Sequence, residues 1–220
     1  TLNAAGAQVV VLTDDLDTAA AIAAHPAAPR TLIEIDTGES RGGIAPDDDA
    51  LLAMAELLGP RLYGVMTHAG HSYSGRSVAD MVRIAEAERS GVVRAAERLR
   101  EAGHTAPIVS MGSSPTALHA ESLAGVTEVR AGVYMFGDLF QAEIGTHAAA
   151  DIAVTVLTSI IGRHPGRLLV DAGGLALSKD RSTEAAPHDY GFGLVLDLAG
   201  QPFGSAVVRQ RRWSLGFRRR

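Results

Sequence analysis

The sequence predicts an α/β protein built on a parallel sheet and followed by a β-rich segment, and three observations carry that reading. Five hydrophobic runs each stop at glycine and polar residues: TLIEIDTGESR, LYGVMTHAGHSY, PIVSMGSSPT, TEVRAGVYMFGD and RLLVDAGG. The first four, with a shorter run ahead of them, alternate with segments of helical periodicity, which is the rhythm of right-handed β-α-β crossovers. From about Asp151 the helical segments stop, and strand-like runs follow one another across short turns. The glycine-rich strand ends matter because α/β folds gather ligand-binding groups at the C-terminal edges of parallel strands.

The elements follow in order. QVVVL (residues 8–12) is a short β-branched strand. The acidic residues Asp14, Asp15 and Asp17 then open an alanine-rich helix that runs to His25, since carboxylates favour a helix N-terminus. TLIEID leads through a glycine loop to a helix over about residues 47–58, which Gly59 and Pro60 end. LYGVMTH leads to a longer helix beginning near Ser77. There Ser-Val-Ala-Asp reads as a capping box, and Val78, Met81, Val82, Ile84 and Ala85 recur at helical spacing. PIVSMG and VRAGVYMF complete the series as strands. DIAVTVLTSIIG and GRLLVDAGG are separated only by Arg163-His164-Pro165-Gly166, too short for a crossover helix, so they are expected to pair as an antiparallel hairpin. YGFGLVLDLAG is a further strand candidate. The change of rhythm places a domain boundary near residues 148–152, giving domains at 1–150 and 151–220.

Composition removes several classes of function. A chain of 220 residues with 46% hydrophobic content can bury a substantial core. Without cysteine it has no disulfide, thiol nucleophile or Cys-based metal site, and a reducing, cytoplasmic location is expected. No apolar stretch reaches the ~18 residues of a membrane span, and no signal-peptide pattern opens the chain. The net charge of −5 conceals a C-terminal stretch, RQRRWSLGFRRR, with six arginines and no acid. The remainder is therefore strongly acidic, which argues against a nucleic-acid partner. The basic tail itself reads as a disordered or out-of-frame end. The opening TLNAAGAQ has no initiator Met, so the chain is expected to begin inside a larger product.

At the strand ends the residue types admit two readings each. Gly112-Ser113-Ser114-Pro115-Thr116 suits a phosphate held by small hydroxyls and free N–H groups at a helix start; it suits an ordinary capped turn equally well. Gly132, in Ala131-Gly132-Val133-Tyr134, allows backbone amides close approach to an anion. Two adjacent glycine-bearing ends resemble the phosphate site that β/α barrels build from their last two loops. His68, His71 and Tyr73 lack an acidic or thiol companion for a metal; His68 and Tyr73 suit contact with a flat ligand or a purely structural role. Asp36 and Arg41 either brace their loop or leave the Arg41 fork for an anionic or phenolic oxygen, and Arg130 faces the same choice.

Taken together, these motifs resemble a known family. Glu34-Ile35-Asp36-Thr37-Gly38 with Arg41, Thr67-His68-Ala69-Gly70-His71-Ser72-Tyr73, the 112–116 turn, Arg130-Ala131-Gly132-Val133-Tyr134-Met135-Phe136, and Val170-Asp171-Ala172-Gly173-Gly174 through Lys179-Asp180 are similar, in order and spacing, to the D-threonine aldolase and D-serine dehydratase group. These are fold type III pyridoxal 5'-phosphate enzymes of the alanine racemase-like fold, lyases acting on small D-3-hydroxy amino acids. The resemblance implies a TIM-type (β/α)8 barrel followed by a β-rich C-terminal domain, and homodimers in the intact family. It further implies that Ser113, Ser114, Thr116, Gly132 and Val133, with Tyr134 nearby, hold the cofactor phosphate. Arg41 would then lie near the phenolic oxygen, His68 and Tyr73 against the ring, and Arg130 where alanine racemases address the ring nitrogen.

Departures from the family pattern are equally definite. Family members carry the Schiff-base lysine in a segment resembling Pro-His-x-Lys-Thr-His-Lys on the first barrel strand, and this chain has no such segment. Its one lysine, Lys179, aligns with the second domain instead. The family's divalent-metal ligands for Zn or Mn, a His and a later Cys or Asp, are absent too. Counting from QVVVL, about five of eight barrel strands are present, so the expectation is an incomplete barrel, an incomplete β domain, and a chain that does not turn over. A non-catalytic pyridoxal phosphate binder and an unrelated barrel enzyme for a phosphorylated metabolite are the alternatives.

Overall fold

The computed structural model describes residues 2, 5–174, 176–178, 180–208 and 215–218, and for 204–208 and 215–218 it describes the backbone. The chain divides into two compact units, Thr1–Gly132 and Val133–Arg220. No helix among the described residues is long and apolar enough to cross a membrane.

The first unit is a five-stranded parallel sheet with helices in its crossovers. Its strands are β1 (Val10–Thr13), β2 (Arg30–Glu34), β3 (Leu62–Met66), β4 (Ile108–Met111) and β5 (Glu128–Val129), paired in the order β1-β2-β3-β4-β5. Each strand pairs with the next in sequence, which is the wall of a β/α barrel and not the reversing order of a doubly wound sheet.

The helices start where the side chains can cap them. Helix α1 (Leu16–Ala24) is capped by Asp15, whose carboxylate accepts from the Thr18 N–H at 2.7 Å. Helix α2 (Ala50–Leu58) starts three residues later than the sequence suggests, after the Asp48 carboxylate has accepted from the Ala50 N–H at 2.9 Å. It ends as expected at Gly59, whose φ of 52° breaks the helix. The long helix α3 (Val78–Glu101) has Ser77 as its cap, accepting from the Asp80 N–H. Only half of the predicted capping box forms, because the Asp80 carboxylate takes the Ser77 hydroxyl and the Arg76 N–H.

Packing follows the periodicity with one exception. Met81, Ile84, Ala85, Val92, Ala95, Ala96 and Leu99 bury one face of α3, whereas Val78, counted on that face by spacing, is exposed in the first turn. Val92, Ala95, Ala96 and Leu99 of that face, with the buried Leu51, Met54, Ala55 and Leu58 of α2, form one core with Ile33, Val65, Val109 and Met111 of the sheet.

The second unit holds β6 (Ile160–His164), β7 (Arg167–Val170), β8 (Leu194–Leu196), β9 (Pro202–Val208) and β10 (Leu215–Arg218), in the order β6-β7-β10-β9-β8. The expected hairpin is β6 and β7, antiparallel across a turn in which Gly166 takes φ 71°. The unit also contains the short helix α5 (Leu139–Glu143).

Three expectations are corrected. The run VRAGVYMF is strand only at Val129, the end of β5, because β4, its one ladder partner among the described residues, ends at Met111; Val133–Met135 is a 3₁₀ turn. DIAVTVLT is not strand, and β6 begins at Ile160, since the Asp171 carboxylate takes the Thr158 hydroxyl and the Ser159 N–H where a ladder would continue. The arginine-rich end, read as disordered, contributes β10, which pairs antiparallel with β7 and β9. The rest of that end lies outside the described residues.

The closeness of β3 to β4 rests on Gly64. It has φ 144°, and a Cβ there would stand 1.9 Å from the Ile108 carbonyl oxygen across the ladder. Gly64→Ala is expected to cost on the order of 3 kcal/mol, from backbone strain together with displacement of the ladder. Gly103→Ala, at φ 89° with nothing within 4 Å, is expected to cost about 1 kcal/mol. Urea unfolding of the two variants beside the parent measures the difference.

Candidate functional site

The C-terminal ends of β2, β3, β4 and β5 bring most of the predicted residues together in the first unit. After β2, the Asp36 carboxylate accepts from the N–H groups of Gly38 at 2.8 Å and Ser40 at 3.1 Å. Burial works to raise this carboxyl, but those amides and that of Glu39 outweigh it and hold it below its ordinary value. Asp36 therefore braces the loop through backbone amides and not through a buried pair with Arg41. Arg41 stands on the rim with its side chain 62% exposed and paired with Glu39 at 3.3 Å.

After β3, the His68 ring is fixed to the neighbouring strand end, with Nδ1 2.8 Å from the Gly112 carbonyl oxygen. A carbonyl only accepts, so Nδ1 carries the proton, and a neutral His68 leaves Nε2 as an acceptor. Tyr73 lies half-buried on the 3₁₀ turn Gly70–Ser74. Ser72, on the same turn, is buried with its hydroxyl 2.9 Å from that of Ser113.

The turn after β4 starts helix α4 (Ser114–His119). Gly112 has φ 138°, and a Cβ there would stand 2.2 Å from the Arg130 carbonyl oxygen, so the close approach of β5 requires glycine. Ser113 and Thr116 form a reciprocal capping box: Ser113 Oγ accepts from the Thr116 N–H, and Thr116 Oγ1 accepts from the Ser113 N–H. These two hydroxyls thus serve the turn itself. Ser114 differs, because its Oγ is buried and has no hydrogen-bond partner. An orphaned hydroxyl at the start of a helix fits a phosphate oxygen, which it can donate to while the helix end favours the charge.

After β5, the Arg130 guanidinium bonds the Ser110 hydroxyl through Nε at 2.8 Å and the Thr67 carbonyl through Nη2. Burial lowers Arg130 from its ordinary value, with Glu128, Glu88 and Glu34 opposing that effect. Gly132 has open space where a Cβ would be, so nothing in the protein around it demands glycine. That is the opposite of Gly112, and it leaves the backbone there open to an anion. Val133 and Tyr134 belong to the second unit, on the Val133–Met135 turn, where Tyr134 is 55% exposed.

Glu88 is a buried carboxyl that sequence reasoning passed over. It sits on the buried face of α3, four residues from both Ile84 and Val92, and that register is the signal that could have found it. Its carboxyl accepts from the N–H groups of Ala69 at 2.9 Å and Gly112 at 3.1 Å. Burial raises its pKa above the ordinary 4.5, although Thr116, both amides and His68 act in the other direction.

Among the described residues no three His, Cys, Asp or Glu side chains gather where a metal ion would sit. Lys179 lies outside the described residues.

Comparison with known proteins supplies the context. Residues 1–139 match the family described as alanine racemase, N-terminal domain. The D-threo-3-hydroxyaspartate dehydratase of Delftia sp. is 46% identical over 217 residues, 94% of this chain and 57% of that protein. The D-serine dehydratase of Dictyostelium discoideum is 35% identical over 161 residues, 67% of this chain and 41% of that protein. The solved structure of the Delftia dehydratase superimposes with a TM-score of 0.91 at 42% identity, covering 99% of this chain and 60% of that one. The match thus spans between 41% and 60% of the length of these relatives.

The raised Glu88 carboxyl makes stability depend on pH in a defined direction. A folded-state pKa above the unfolded value gives a contribution that is full below about pH 4.5 and is lost as pH rises through the folded value. Glu88→Gln removes the titration while keeping an acceptor oxygen. The thermal midpoint of Glu88→Gln is therefore expected to gain on the parent as pH rises from 4 toward neutrality, which a melting series across that range measures.

Proposed function

The chain belongs to the alanine racemase N-terminal domain family, of fold type III pyridoxal phosphate proteins, and from that premise we propose that it carries the cofactor cradle of a lyase for small D-3-hydroxy amino acids. The observation that carries the reading is the orphaned Ser114 hydroxyl at the α4 start, within a chain 46% identical to a hydroxyaspartate dehydratase. Two dehydratases among the relatives favour elimination of the 3-hydroxyl over cleavage of the Cα–Cβ bond.

When bound, pyridoxal phosphate supplies an electron sink for the pair released at the substrate Cα. The residues of this chain bind and orient. Ser114 donates to the phosphate, and the backbone at Gly132 leaves it room. His68, immobilised through Nδ1, keeps its ring in one orientation beside the cofactor. Arg130 is tied to Thr67 and Ser110, so its guanidinium is held in place as a fixed positive group and not a mobile one. Arg41 at the rim and Tyr73 beside the ring complete the contacts made by the first unit. Ser113 and Thr116 act by holding Ser114 in its capped turn. The small substrate, a cytoplasmic setting and a homodimer accord with the family reading; neither nucleic acid nor membrane has a part in it.

Substituting this chain for the matching 217 residues of the Delftia dehydratase tests the reading directly. The hybrid is expected to bind pyridoxal phosphate and release ammonia from D-threo-3-hydroxyaspartate, while the 220-residue chain alone binds the cofactor without turnover. Ser114→Ala in either protein is expected to weaken cofactor binding about tenfold, the usual cost of one hydrogen bond to a charged group. A folded hybrid that takes up no pyridoxal phosphate would sink the proposal.

A further inference from the structure

Helix α3 buries one residue that its apolar face does not explain. Glu88 is 0% exposed, between Ala85 and Val92, and an apolar residue at that register would complete the core without the cost of burying a carboxyl. The backbone shows what the carboxyl is for. Its Oε1 accepts from the N–H of Ala69, the residue after His68, and from the N–H of Gly112, the residue before Ser113. One oxygen thus joins amides of the loops that follow two neighbouring strands, β3 and β4. Oε2 is buried with no hydrogen-bond partner, so the second oxygen is not what keeps the residue in place. Three further links cross the same seam: His68 to the Gly112 carbonyl, Ser72 to Ser113, and the Thr67 N–H to the Ser110 carbonyl.

We propose that Glu88 is the positioning residue of the cradle: its carboxyl sets the spacing between the His68 loop and the Ser113–Ser114 turn. It touches no ligand itself. It acts through Ala69 and Gly112, whose amides would otherwise be buried donors without partners at the two points where the loops leave the sheet. Bonds from N–H groups to a carboxylate are stronger than those to a neutral acceptor, and both here aim at a single atom, so the two loops cannot separate without losing both. His68 and Arg130 are the charged or titratable groups that interact with Glu88 across the seam. The identity of the ligand rests on the pyridoxal phosphate reading above, whereas the clamp does not.

The test compares the parent chain with Glu88→Ala and Glu88→Gln, reading amide hydrogen exchange at Ala69 and Gly112 and pyridoxal phosphate affinity by titration. In the parent both amides are expected to exchange slowly. In Glu88→Ala their exchange is expected to accelerate about tenfold or more with β2 amides unchanged, and cofactor affinity to fall about tenfold. Glu88→Gln, whose side-chain carbonyl accepts the same two bonds, is expected to restore slow exchange and most of the affinity. Unchanged exchange at Ala69 and Gly112 in Glu88→Ala overturns the proposal, and so does a folded Glu88→Gln that leaves both amides unprotected. If the parent shows no cofactor affinity, the pyridoxal phosphate reading fails while the exchange data still decide the clamp.

Discussion

The seam between β3 and β4 is the constraint from which the site follows. The two strands pair in parallel, with Gly64 facing Ile108 so closely that no side chain fits between them. At the far end of the same ladder, Gly112 lets the Arg130 backbone approach β4 from the opposite flank. Between these two glycines the sheet edge is held tightly, and polar groups at its rim inherit fixed separations. A ligand-binding rim built on loops alone would have to order them on binding, at a cost in conformational entropy. Here the ordering is already done by ladder bonds, by His68 on the Gly112 carbonyl, and by a buried carboxyl below.

Polar groups buried beneath an apolar core follow a simple rule: each must find a partner or carry a cost. The cradle obeys it unevenly. Ser113, Thr116 and Ser72 bond one another and Thr67 bonds Thr37, whereas Ser114 Oγ and Glu88 Oε2 have no partner. The contrast separates two kinds of polar residue within a few ångströms of sequence. Those that are satisfied internally tie the turn together, and the unsatisfied hydroxyl of Ser114 is the one the proposal gives to a ligand. A motif of small hydroxyl residues does not make this distinction by itself, because Ser113 and Ser114 look alike until their partners are counted.

That difference explains how much could be seen in the sequence. Strand ends at residues 35–41, 67–73 and 112–116 were legible because glycine and polar residues interrupt β-branched runs there, and helix starts at Asp15 and Ser77 were legible from capping chemistry. The extent of β5 was not, since its length depends on where β4 stops and not on its own residues. Strand β10 was hidden because an arginine-rich composition reads as solvated, while a ladder needs only backbone groups and two willing neighbours, β7 and β9. Glu88 escaped for a third reason: helical periodicity marks which face is buried, and a single acid on that face registers as noise unless one asks what it would bond.

The cradle and the chemistry of such a protein are separable, and this chain shows where the division falls. The groups proposed to hold a phosphate are a hydroxyl, a helix start and glycine backbone, all placed by β4, β5 and their loops. None of them selects which bond of a substrate breaks. Dehydratases and an aldolase accordingly share this stretch of sequence, at 46%, 35% and 27% identity. Selection of the bond belongs to groups that touch the substrate itself. Fixed distances across the β3–β4 seam suit a cofactor common to many reactions. On that argument the conserved physical feature to expect among relatives is the seam itself, glycine at 64 and 112 with a carboxyl or amide beneath, more than any one residue at the rim.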